Sequence, residues 1–188
     1  VDQGKGNMQH KNIGSAQCPI ARSLAQVGEW WSLLIIRDAM HGLCRFDEFQ
    51  KSLDIAPNML TRRLNALVEA ELLDKQPYST RPLRYEYKLT AKGRELSPVL
   101  LTLMAWGNKH VAPEGECIQL ADTRTGLIAQ PLLVDKVSGR EITGQDFMLI
   151  AGPAASDTMR QRLQHYQHHK ITHALFAANT ATAEENKK

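Results

Sequence analysis

The sequence has no uninterrupted apolar run long enough to span a bilayer, which excludes a membrane-crossing helix. It also has no basic segment followed by an apolar one near its start, so no secretory leader is expected and the cytoplasm is the expected location. Cysteine is scarce. Cys18, Cys44 and Cys117 are odd in number and widely spaced, with no CxxC pair, which argues against a disulfide framework and against a thiolate metal site. The GxSxG, P-loop and GxGxxG patterns are all missing, and no nucleophile–base set or carboxylate pair stands at a useful spacing. Neither an enzyme nor a bound cofactor is therefore expected. A large excess of charge of either sign is lacking as well: 23 basic residues face 20 acidic ones, for a net +3, a balance that permits a nucleic-acid partner without arguing for one. No internal repeat or low-complexity tract is evident.

What the chain does have is 188 residues, 43% of them apolar, enough for one well-buried domain and a smaller appendage. Residues 1–17 read as a flexible tail in which Met8 is a candidate start. Pro19 to Val27 reads as a helix, with Pro19 suited to its first turn and Gly28 ending it. A second helix is expected over Trp30 to Met40 and a short third over Arg45 to Leu53. After a turn at Asp54 to Pro57, a fourth follows from Asn58 to about Glu71. Two short helices joined tightly, the second strongly amphipathic, make a helix-turn-helix candidate.

The apolar period then changes from 3.6 to 2. Leu72 to Tyr78 and Leu83 to Thr90 read as the strands of a hairpin joined by Ser79 to Pro82, in the place of the wing of a winged helix. Thr90 offers an N-cap to a long helix reaching about His110, with Pro98 as a kink or break. Leu96, Val99, Leu103 and Trp106 form an apolar seam along it, and a second copy of the same helix is the simplest cover. The expected fold is thus mainly α with a small β-hairpin wing. A winged helix-turn-helix domain at 18–112 is followed by a β-rich unit and a helix at 113–178, and by a disordered tail at 179–188. In the appendage His165, His169 and His173 share a helical face, and a solvated face is the plainer account of that spacing than a metal site.

The blocks CPIARSL at Cys18, WWSLLIIRDAMHGLCRFDEF at Trp30, MLTRRLNALVEAELL at Met59 and YEYKLTAKGREL at Tyr85, with the helix ending at Trp106, resemble the HxlR family of bacterial winged-helix regulators, relatives of the MarR-like group. The resemblance implies a homodimer on a pseudo-palindromic operator in double-stranded DNA, joined through the first and last helices of the domain. It also implies a redox-sensing thiol at the position of Cys18, as some members have. Longer members carry a zinc-ribbon-like tail; here Leu132 to Pro153 looks like that tail with its cysteines replaced, Asp135 and Ser138 standing about where a CxxC pair would be.

Taking Leu60, Leu64 and Leu67 as the buried face of the fourth helix, about 100° per residue sets Asn58, Arg62 and Asn65 opposite, toward a major groove. Thr61 and Arg63 are expected on the flanks, against phosphate. In the hairpin, Arg81 and Arg84 are candidates for minor-groove or phosphate contact. Arg45 could equally bind phosphate or pair with Glu48 one turn later. Cys18 precedes a helix start, where the helix dipole favours a thiolate, so an electrophile or another small-molecule effector is a candidate signal. The competing reading is a winged-helix docking module that binds protein and not specific DNA.

Overall fold

The computed structural model describes residues 17–170. The expected N-terminal tail up to residue 16, the last turns of the C-terminal helix beyond residue 170, His173 among them, and the tail from 179 lie outside the described residues. The chain divides into two compact units, one ending at Pro131 and the other beginning at Leu132. This division falls later than the expected boundary after residue 112. The segment beyond the last helix of the domain is tied back to that helix, where the Asn108 side-chain amide donates to the Ile118 carbonyl at 2.8 Å.

In the first unit α1 (Pro19–Val27) starts on a proline and closes with the Gly28 amide donating to the Leu24 carbonyl at 2.8 Å. Then come α2 (Trp30–Met40), α3 (Phe46–Leu53) and α4 (Pro57–Glu69). Two turns need left-handed backbone: Gly42 at φ +97° after α2, and Asp54 at φ 48° between α3 and α4. A glycine makes the first at no steric cost, and aspartate is among the few other residues that tolerate such a φ. Pro57 again fits a first helical turn.

The core lies where these helices cross. Ile35 and Ile36 of α2, Phe49 of α3, and Leu60, Leu64 and Leu67 of α4 are without exposed surface. Each such side chain contributes about 1.5–3 kcal/mol by leaving water. Leu72, Leu73 and Tyr87 close the core from the hairpin side.

The hairpin pairs β1 (Leu73–Thr80) with β2 (Leu83–Leu89) in antiparallel register, Leu73 opposite Leu89 and Thr80 opposite Leu83, with a shift between Pro77 and Ser79. The Tyr87 amide donates to the Cys44 carbonyl at 2.7 Å, and Arg45 bridges to Glu86, so the residues just before α3 act as a short third strand. Along β2 burial fades from Tyr87 to the exposed Leu83, which carries the tip with Arg81 beyond the core.

The expected long helix from Thr90 to His110 is broken into two, the break being one of the two outcomes that Pro98 allows. The first, α5, covers only Ala91–Arg94, and α6 begins afresh at Ser97–His110. A continuous helix would drive the Pro98 ring into the Arg94 carbonyl, whereas in the first turn of a new helix that ring is harmless. Thr90 does cap as expected, its hydroxyl oxygen accepting from the Gly93 amide at 2.9 Å, and its own proton goes to the Glu71 carbonyl at 2.7 Å. The break also changes the helical phase. Leu96 ends up just outside α6, packed with Leu100 against this domain's own core, and so leaves the expected dimer seam. Val99, Leu103 and Trp106 remain 52%, 49% and 55% exposed.

Beyond α6 the unit ends in a small hairpin of β3 (Leu120–Ala121) and β4 (Ile128–Ala129). At its turn Asp122 accepts from the amides of Arg124 at 2.7 Å and Thr125 at 3.0 Å, and Gly126 closes it at φ +72°. The second unit repeats that turn. Asp135 accepts from the amide of Ser138 at 2.8 Å and its hydroxyl at 2.6 Å, Gly139 sits at φ +70°, and Val134 bridges to Glu141. Asp122-x-x-Thr-Gly and Asp135-x-x-Ser-Gly are thus a short repeat that the sequence reading missed, since only Asp and Gly are identical between them. The expected β-rich unit is correspondingly reduced. Of the short apolar runs Leu132 to Val134 and Phe147 to Ile150, only Val134 is paired, in the single bridge to Glu141. The second unit's helix α7 covers 157–170 within the described residues, and its Gln167 side chain donates to the Leu149 carbonyl at 3.0 Å.

The turn from α4 into the hairpin meets α5 at Gly93, where an added Cβ would lie 2.2 Å from the Leu72 carbonyl oxygen and 3.0 Å from a Leu89 methyl. Backbone on one side and packed core on the other leave no room for a methyl group. Gly93→Ala is expected to destabilise the fold by about 1–3 kcal/mol, read as a lower urea midpoint at unchanged m-value. An unaltered midpoint would show that the junction relaxes freely.

Candidate nucleic-acid interface

Rotation of α4 is fixed by its three buried leucines, and the consequence is read directly from the opposite side. Asn58, Thr61, Arg62 and Asn65 are all exposed. The Thr61 hydroxyl donates to the Pro57 carbonyl of its own helix at 2.9 Å, which leaves its oxygen free to accept. Asn58, Arg62 and Asn65 therefore offer hydrogen-bond forks suited to base edges.

Arg63 is the exception among the expected contacts. It is only 8% exposed, and its guanidinium meets the Glu29 carboxylate at 2.8 Å. One step of about 100° from Arg62 turns it toward the edge of the core, beside Leu60, Leu64 and Leu67. It is committed to an internal ion pair and is withdrawn from the phosphate contacts. Sequence reasoning also missed Glu29, because no periodicity links two residues 34 positions apart.

Of the two roles expected of Arg45, pairing with Glu48 is not formed. Glu48 turns to the backbone, its carboxylate accepting from the amides of Cys44 and Arg45 at 2.8 Å each, and these bonds hold its pKa below the ordinary glutamate value. The Arg45 guanidinium lies instead over the Tyr78 ring, 4.6 Å from its centre. A stacked guanidinium is held in direction while its edge N–H groups stay available to an oxyanion. Tyr78 sits at the register shift of the hairpin, so the start of α3 and the wing jointly aim one cation.

The wing adds exposed Arg81 and Arg84 and a second cation over aromatics, Lys75, whose Nζ lies 4.3 Å from the Tyr85 ring centre. Lys88 is neutralised by Glu86 at 2.6 Å. Cys44 lies half-buried beside these acids; burial first, then Glu48 and Glu86, push its thiol pKa up, so it is a poor nucleophile at neutral pH. Cys18 stands half-buried at the N-cap position of α1. Among the described residues no three His, Cys, Asp or Glu side chains gather as a metal site. Nor is any described helix long and apolar enough to cross a membrane.

Comparison with known proteins bears on this geometry. The HxlR-like helix-turn-helix family matches residues 26–115. An uncharacterized HTH-type transcriptional regulator of Mycobacterium tuberculosis is 41% identical over 148 residues, covering 78% of this chain and 92% of that protein. The chain belongs to the HxlR-like helix-turn-helix family. The HTH-type transcriptional regulator YodB of Bacillus subtilis, also similar, is 32% identical over 103 residues, covering 54% of this chain and 92% of YodB. Among solved structures, a candidate transcription factor of Pseudomonas aeruginosa is 58% identical, with a TM-score of 0.58, and the match covers 78% of this chain and all of that one. This HxlR-like chain is accordingly a transcriptional regulator with a helix-turn-helix domain. The matches covering 78% of it extend past the winged helix, so those relatives share some of the appendage as well.

Proposed function

We propose that the protein is a homodimeric regulator that reads a pseudo-palindromic operator with α4 and braces the duplex with its wing. The observation that carries this reading is the outward face of α4, with Asn58, Arg62 and Asn65 exposed opposite a fully buried leucine stripe. Base edges reward such forks, and phosphates reward the cations of the wing. Arg45, Arg81 and Arg84 take the backbone role, with Thr61 as a flanking acceptor or donor. Such a protein works in the cytoplasm, beside the chromosome.

The two kinds of contact separate in binding data. Arg62→Ala should weaken operator binding and relax preference at one base pair, by about 1–3 kcal/mol. Arg81→Ala should lower affinity on operator and random duplexes alike, flattening the slope of log K against log salt by about one contact per subunit. If neither substitution changes affinity for any duplex at several salt concentrations, the docking-module reading takes its place.

Dimerisation rests on the exposed seam of α6. Val99, Leu103 and Trp106, together with Ile20 at 71% and Leu24 at 51% exposure on α1, are costly to leave in water. Leu103→Glu should convert the dimer to monomer in sedimentation velocity runs. A dimer that survives the substitution relocates the interface.

The signal we assign is an electrophile or oxidant acting at Cys18, which stands at the N-cap of the helix that carries Ile20 and Leu24. Modification there would alter the packing of α1 against its partner. Diamide is expected to change operator affinity of the wild type and to leave that of Cys18→Ser unchanged. An equal response from both proteins removes Cys18 from the mechanism.

A further inference from the structure

We infer that the Glu29–Arg63 ion pair fixes the angle between α4 and α1, and so sets the half-site spacing that the dimer accepts. This rests on the proposed reading of α4 as the DNA-contacting helix and of α1 as part of the dimer surface.

The joint between α1 and α2 is two residues long, Gly28 and Glu29. Gly28 closes the last turn of α1, its amide donating to the Leu24 carbonyl at 2.8 Å, so Glu29 alone separates that turn from α2. Glu29 begins α2, its carbonyl accepting from the Ser32 amide at 2.8 Å. From this joint the Glu29 carboxylate reaches Arg63 of α4 at 2.8 Å. One end of the dimer-forming helix is thereby pinned to the residue that follows Arg62 on α4.

Burial makes this pair different from an ordinary surface one. The Arg63 side chain is 10% exposed, against 59% for Glu29, and the Arg63 Nε is buried with no hydrogen-bond partner among the described residues. Glu29 is the acidic partner on which that guanidinium depends. An apolar side chain at position 63, continuing the stripe of Leu60, Leu64 and Leu67, would serve stability as well or better. What an ion pair adds over such a residue is direction, because a hydrogen-bonded guanidinium is satisfied only at one placement of the two helices.

The test uses the full-length protein and duplexes selected by the wild type from a random pool, remade with the two half-sites one base pair closer, unchanged, and one base pair farther apart. Glu29→Gln keeps size and removes charge. It is expected to bind the original spacing roughly tenfold more weakly, to lose the preference between spacings, and to retain wild-type affinity for random duplex and a wild-type sedimentation coefficient. Arg63→Gln should do the same, and the double variant should be no worse than either single one. Arg63→Lys, which keeps the charge, should recover most of the spacing preference.

A merely structural pair would lower the melting temperature while leaving the spacing profile intact, and that result overturns the inference. Glu29→Gln alone decides the matter if Arg63→Gln does not fold. A wild type with no spacing preference also overturns it while leaving the regulator reading in place. A wild type that binds no duplex at low salt removes both.

Discussion

Three leucines at i, i+4 and i+7 on α4 have one way to leave water together, and everything that faces DNA in the proposed function is fixed by it. Leu60, Leu64 and Leu67 are without exposed surface because Ile35, Ile36 and Phe49 fill the space across from them. A rotation of α4 by one residue, about 100°, would expose the stripe and bury Thr61 and Asn65 in its place. The energy at stake is several kcal/mol for the stripe as a whole, against about 1–3 kcal/mol for any base contact. The core therefore dictates the reading face, and DNA cannot reorient it. The same packing runs on into the wing: Leu72 and Leu73 continue the core, and Leu72 lends its carbonyl to the Thr90 amide at 3.1 Å, which brings the far end of the hairpin back to the end of α4.

Elements whose punctuation is local were legible in the sequence. α1 lies between Pro19 and Gly28 as those two residues demand, and the strands of the wing follow the alternation of Leu83, Tyr85, Tyr87 and Leu89 against charged neighbours. The resemblance to HxlR-like regulators rested on the same blocks. What was not legible depends on distance or on competition between local rules. Pro98 allowed either a kink or a break, and the place where α5 packs, with Gly93 against the Leu72 carbonyl, is a contact across 21 positions that no local pattern signals. Leu96 followed the break into the core. Arg63 looked like a flanking phosphate contact because a helical wheel locates a residue and says nothing of a carboxylate arriving from another helix. Tyr78 escaped notice for a related reason: its importance comes from Arg45, which only the fold sets above it.

The two Asp-x-x-Ser/Thr-Gly turns show how a knuckle can be held without thiolates. In each, a carboxylate gathers amide donors from the residues two and three positions on, joined at Asp135 by the Ser138 hydroxyl, and a glycine with positive φ closes the ring. These bonds favour the ionised carboxylate, and the pKa values of Asp122 and Asp135 are accordingly held down. A thiolate pair in the same place would offer its charge outward to a metal; here the acceptor oxygens are spent within the turn. Such bonds are exposed to water, so they shape a loop without supplying a core.

The same arithmetic explains why a modest apolar seam can govern assembly. Association costs roughly 4–15 kcal/mol in lost translational and rotational freedom, and Val99, Leu103 and Trp106 from a single chain return only a part of that at about 1.5–3 kcal/mol for each fully buried side chain. In a two-fold interface every residue is used twice, once from each copy. Adding Ile20 and Leu24 from α1 doubles in the same way, which brings the sum into the range that holds a dimer. In the proposed dimer, symmetry would also tie the two α4 helices to one another. Any small shift of α1 against its partner is mirrored in the second subunit, and the separation of the two α4 helices responds to both shifts together. In the proposed dimer, chemistry at Cys18 and the placement of Arg62 would be two ends of one lever, whose arm is the two-residue joint of Gly28 and Glu29.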